Sequence, residues 1–164
     1  MRTLVTYHTQ TGNTKKVAEA IYGALEGERE IAPMEKVDDL SGYDLAFVGF
    51  PVHAHTAARP AAEFLEGKCQ GKCLALFMNH ATPEDAADLF AMIDRCTVAA
   101  AGAQVVGVFN CQGELADDVM EKLLKSDHPQ MQMFGEQGKF TQGQPDASRL
   151  ERAAAFARQV AAKL

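Results

Sequence analysis

Leu4-Val5-Thr6-Tyr7-His8-Thr9-Gln10-Thr11-Gly12-Asn13-Thr14-Lys15-Lys16-Val17 is the stretch on which the reading of this chain turns. An apolar, β-branched opening, Leu4 to Tyr7, reads as a strand, and a short polar turn follows it. Thr14 to Leu25 then places Val17, Ala18, Ile21 and Leu25 on one helical face. A turn that feeds a helix directly exposes free backbone N–H groups and the positive end of the helix dipole to whatever lies above it. Thr9, Thr11 and Thr14 add hydroxyls, Gln10 and Asn13 add amides, and Gly12 lets the backbone bend without a Cβ in the way. No lysine or arginine lies within Thr9 to Thr14, although Lys15 and Lys16 follow. A neutral, donor-rich nest of this kind suits a dianionic phosphate monoester. It lacks the three spaced glycines of a dinucleotide fingerprint and the Gly-Lys-Ser/Thr of a P-loop.

Beyond this turn, short apolar runs alternate with longer amphipathic ones, the rhythm of a βαβ protein. Glu30 to Met34 is expected as a second strand, kept to a sheet edge by Pro33. Leu45 to Phe50 and Cys73 to Met78 are continuous apolar runs, as strands covered on both faces require. Gln104 to Phe109 makes the fifth strand. Helices are expected over Arg59 to Glu66, Glu84 to Ala101 and Ala147 to Lys163, with Gly102 as a left-handed stop to the second of these. Right-handed crossovers then give an α/β fold, a doubly wound five-stranded parallel sheet in the order 2-1-3-4-5. With no repeat and no linker, residues 1–164 form a single domain. Ser126 to Pro145 shows no period and reads as a long loop, either covering the site, docking a partner through Met131, Met133, Phe134 and Phe140, or sealing the sheet edge.

Composition narrows the function classes. The chain has 164 residues with 47% hydrophobic and 23% charged, ordinary for a globular domain. A net charge of −6 argues against nucleic-acid binding, which needs a basic footprint, and is compatible with steering toward basic protein partners. No apolar run approaches the roughly 20 residues that span a bilayer. The N-terminus runs straight into a strand, so a cytoplasmic protein is expected. Cys69, Cys73, Cys96 and Cys111 are then free thiols, and Cys69-Gln70-Gly71-Lys72-Cys73 matches no redox or zinc spacing.

Strand, Thr9-Gln10-Thr11-Gly12-Asn13-Thr14, then helix resembles the signature of flavodoxins, and the order of elements agrees over essentially the whole chain. The resemblance implies that the turn cradles the phosphate of FMN. In doubly wound sheets the ligand sits beyond the carboxyl ends of the strands, where strand order reverses. Here that means the loops holding Pro51, Val52, His53 and Ala54, and Asn79, His80, Ala81 and Thr82. In flavodoxins these loops clasp the flavin ring, with a tryptophan or tyrosine usually stacked on each side. This chain has no tryptophan and no aromatic hydrocarbon ring in either loop, and His53 falls where the first stacking ring would be. Weaker cofactor binding, and a less negative reduction potential dependent on pH through a histidine, are the consequences to expect. His8, His53, His55 and His80, with Cys111 nearby, offer the alternative of a metal. A phospho-acceptor receiver domain would need acidic residues where Tyr7-His8-Thr9 stands.

Two functions follow. One is an FMN-binding electron carrier, monomer or homodimer, whose redox partner proteins dock at the flavin edge. The other is an FMN-dependent oxidoreductase of the same fold, reducing a quinone, a flavin or a tetrapyrrole-like substrate.

Overall fold

The computed structural model describes residues 1–164. β1 (Arg2–Tyr7) leads through the polar turn into α1 (Asn13–Ala24), and β2 (Glu28–Pro33) returns alongside β1. A short 3-10 turn, Met34–Lys36, and a loop seated by Leu40 connect β2 to β3 (Leu45–His53). The two-residue strand β4 (Thr56–Ala57) folds back on β3 before α2 (Arg59–Lys68). β5 (Cys73–His80), α3 (Leu89–Thr97), β6 (Gln104–Gln112), α4 (Asp117–Leu124), α5 (Pro129–Gly138) and α6 (Ala147–Ala161) complete the chain. The parallel strands lie in the order β2-β1-β3-β5-β6, the doubly wound order expected, with β4 off that path as an addition.

Alternation along each strand divides the core between two faces. Leu4, Val48, Phe50, Leu74, Leu76 and Met78 meet α2 and α3, while Val5, Phe47, Ala75 and Phe77 meet α1 and α6. These side chains are essentially fully buried, and removing each of them except the small Ala75 from water stabilises the fold by about 1.5–3 kcal/mol. Gly49 is required by this packing, because a Cβ there would lie 2.0 Å from the Phe77 ring. All four cysteines are free.

Three expectations need correction. The helix expected over Glu84 to Ala101 is shorter: turns occupy the residues before Leu89, and a 3-10 turn, Val98–Ala100, follows Thr97. The cause at its start is Glu84, whose carboxylate reaches away to the Gln112 N–H, Arg149 and Arg152. Gly102 is not among the left-handed glycines, since the helix has already ended. Ser126 to Pro145 is not a loop but contains α5, paired with α4 as a helical hairpin. Its contact face uses glycine, so no apolar period announces it; a Cβ at Gly135 would stand 3.0 Å from the Leu124 nitrogen. The strongest packing of the hairpin is between its own two helices.

Candidate functional site

The polar turn after β1 closes as a nest. Gly12 adopts φ +90, where L side chains are strained, and a Cβ built on it meets nothing within 4 Å. The Gly12 N–H donates to Thr9 Oγ1 at 3.0 Å, which fixes the turn. The first intrahelical bond is Lys16 N–H to Gly12 O, so the N–H groups of Asn13, Thr14 and Lys15 stay free as the opening turn of a helix requires. Gln10 and Thr11 are exposed at the rim, whereas Asn13 and Thr14 are buried at the base. Asn13 Nδ2 donates to Glu114 O at 2.9 Å and ties the nest to the end of β6. Gly113 sits against that amide, where a Cβ would be 3.1 Å from Asn13 Nδ2.

Parallel register brings the other expected residues alongside. The His8 N–H donates to Gly49 O at 2.9 Å, Pro51 is the Cα partner of Asn79, and Asn79 that of Cys111. Pro51 and Val52 are half-buried, and His53 and Ala54 are exposed. Ala54 and His55 form the tip of the β3–β4 hairpin at φ 47 and φ 64, a left-handed pair that two-residue hairpins favour but non-glycine residues adopt at a cost. Arg95 holds this tip, with Nε donating to His55 O at 3.4 Å. His53 and His55 therefore belong to a tight hairpin.

His80 is buried and commits both ring nitrogens within the protein. Nδ1 donates to Thr82 O at 2.9 Å, and Nε2 lies 3.0 Å from Asn110 Oδ1. Because a carbonyl only accepts, Nδ1 carries the proton. Gln112 Nε2 donates to Ala81 O at 3.1 Å, so the end of β6 also braces the Asn79 to Thr82 loop. Asn110, Gln112, Gly113 and Glu114 are thus a third supporting segment. The sequence carried a usable signal for them, since the rule that places sites at strand carboxyl ends applies to the fifth strand as well.

Asn79 is 3% exposed, and its Nδ2 lies 3.2 Å from Cys111 Sγ while its Oδ1 has no partner. His8 Nε2 is likewise buried without one. Burial, then the nearby Glu84 charge, pushes the Cys111 thiol up to about 12 and keeps it protonated. Although the His53 side chain is exposed, desolvation of its ring by the surrounding residues, then the nearby His8, lowers its pKa below the ordinary 6.5, which works against a resting cation at neutral pH. The structure brings no three metal-ligating side chains together. A hollow of about 550 Å³ opens on the β2 side of Thr9, lined by Tyr7, Met34 and Phe64 among others, and none of the residues of the two ring loops reach it.

A Flavodoxin domain model matches residues 4–158. The chain belongs to the flavodoxin-domain family. At the family level this makes it a flavin-binding redox protein. The flavodoxin-like domain-containing protein BilS of Clostridioides difficile is 29% identical over 175 residues, covering 99% of this chain and 98% of that one. Oxidised Flavodoxin 2 from Bacillus cereus superposes with a TM-score of 0.63 over the whole of both chains at 19% identity. A Lactobacillus acidophilus flavoprotein in complex with FMN gives 0.54, covering 66% of this chain and 92% of that one at 21% identity. At such identities the two structures show the shared fold. Within this chain, the open nest at Gly12 fits a phosphate monoester, and the orphaned Asn79 Oδ1 fits a hydrogen-bond donor at the carboxyl edge of the sheet.

Proposed function

We propose that this protein binds FMN and carries electrons between separate redox enzymes. The observation that supports it most is the nest of Thr9 to Thr14, open above Gly12 and ringed by unpaired N–H groups. FMN bound there would supply one- and two-electron chemistry. The chain's own residues have simpler tasks. The Asn13, Thr14 and Lys15 amides hold the phosphate, assisted by the dipole of α1. Asn79 Oδ1 accepts a hydrogen bond from the ribityl chain or the ring. Pro51 to Ala54 and Asn79 to Thr82 flank the ring, the second loop stiffened by His80.

The carrier reading rests on what the site offers besides the cofactor. Its buried cysteine is protonated, and its buried histidine is tied at both nitrogens, so neither is poised as a nucleophile or base. The acidic chain, at −6, suits basic redox partners docking at the flavin edge. A cytoplasmic working place is part of the same proposal.

One observation favours the oxidoreductase reading: neither ring loop holds an aromatic hydrocarbon ring, which leaves a flavin face free for a quinone, flavin or tetrapyrrole-like substrate. Steady-state oxidation of NAD(P)H with a quinone acceptor separates the two. A carrier turns over only when a reductase is added, whereas turnover by the purified holoprotein alone establishes the enzyme.

A further inference from the structure

At the carboxyl end of β6, five consecutive residues each bond to a residue of the candidate site. Asn110 Oδ1 lies 3.0 Å from His80 Nε2, and Cys111 Sγ lies 3.2 Å from Asn79 Nδ2. Gln112 Nε2 donates to Ala81 O at 3.1 Å, and the Gly113 N–H donates to His80 O at 2.8 Å. Glu114 O accepts from Asn13 Nδ2 at 2.9 Å. β5 stops at His80, so Ala81 and Thr82 lie beyond the strand ladder. The His80–Ala81 peptide is still held by a backbone bond. The Ala81–Thr82 peptide is held by a side chain instead, because Ala81 O accepts from the Gln112 amide alone.

Those bonds decide which groups stay free. Both peptides are trans, and in a planar trans peptide the N–H points opposite to the C=O. Pinning His80 O and Ala81 O toward β6 therefore turns the Ala81 and Thr82 N–H groups away from it, and β3 is the neighbour on the other side of β5. Neither N–H donates within the protein. The Thr82 carbonyl is taken up by His80 Nδ1 at 2.9 Å, and Pro83 has no N–H to offer. These two residues thus present backbone donors and no free carbonyl. Successive open N–H groups suit an electron-rich atom. Gln112 is itself anchored: its N–H donates to Glu84 Oε1 at 3.0 Å, and Arg149 and Arg152 each hold that carboxylate at 2.8 Å.

We propose that Gln112 is a positioning residue for the flavin ring. Its side-chain amide keeps the Ala81–Thr82 peptide from turning over, so the ring meets the Thr82 N–H rather than the Ala81 carbonyl. The inference rests on the FMN reading above and adds to it which face of the β5 loop the ring meets. A fixed donor gains strength where negative charge develops. The Thr82 N–H therefore favours the reduced, anionic flavin over the oxidised one, and Gln112 acts on the potential without touching the cofactor.

Redox titration of the FMN-loaded protein tests it, with the wild type beside Gln112→Met and Gln112→Lys. Methionine is close to glutamine in length and cannot donate, whereas lysine keeps a donor of similar reach. Gln112→Met is expected to lose about tenfold more affinity for reduced than for oxidised FMN, which lowers its two-electron midpoint by about 30 mV. Gln112→Lys is expected to keep the wild-type midpoint or exceed it. A midpoint that Gln112→Met leaves in place overturns the inference while the FMN reading stands. An equal fall in Gln112→Lys overturns it too, because packing and not a donor would then be at stake. A wild type that takes up no FMN overturns both together.

Discussion

At the scale of single residues, Gly12 and His55 both sit at positive φ, the one where the phosphate would bind and the other on a hairpin tip. Gly12 at φ +90 holds a backbone conformation that a β-branched residue adopts only under strain, and the free N–H groups beside it depend on that turn. Gly12→Val is expected to remove flavin phosphate binding and, through the strained φ, to cost the apoprotein about 1–3 kcal/mol, with calorimetry with and without ligand separating the two effects. His55 sits at φ 64 on the hairpin tip, where glycine is unstrained. His55→Gly is expected to raise stability by about 1 kcal/mol, measured by urea unfolding. His53 carries a pH prediction. Desolvation of its ring first, and His8 second, hold its folded pKa below 6.5, so it gains charge only as pH falls through a value under that figure. A cation beside a reduced, anionic flavin favours reduction. The holoprotein's potential should therefore climb in this acid range and flatten in His53→Gln; a wild-type profile that His53→Gln leaves unaltered would reject the role.

At the scale of elements, Gly49 and Glu84 hold the strands and their connections. Gly49→Ala drives a Cβ into Phe77, a ring with 0% exposure that has nowhere to move. A loss of about 3 kcal/mol is expected, recovered in part by adding Phe77→Leu, with equilibrium denaturation as the check. Glu84 is raised by burial, but the Gln112 N–H and the two arginines outweigh this and leave its folded pKa below the ordinary 4.5. Its stabilising contribution is complete above that value and is lost as pH falls through the folded pKa. Between about pH 5 and 3 the wild type should lose stability more steeply than Glu84→Gln. The same elements show what could be read in advance. Strands such as Leu45 to Phe50 and Cys73 to Met78 declare themselves by composition, and the nest by its donors. The start of α3 was hidden because Glu84 answers to residues far along the chain. The α4–α5 hairpin was hidden because it packs on Gly135 rather than on an apolar stripe. In the site, the role of Asn79 was legible only as a position; its orphaned oxygen depends on the neighbouring strand.

At the scale of the whole molecule, the sheet order puts the nest, the β3–β4 hairpin and the β5 loop at one edge, with the end of β6 bracing two of them. No helix is long and apolar enough to cross a membrane. The net charge of −6 suits the proposed encounters with basic partners at that edge. All of this depends on the turn after β1 seating a phosphate monoester. Titration of the apoprotein with FMN and with riboflavin, followed by quenching of flavin fluorescence, tests that dependence most directly. The account predicts tight quenching by FMN, much weaker quenching by riboflavin, and loss of the difference in Gly12→Val. Equal affinity for the two ligands, or no quenching by FMN, would contradict it.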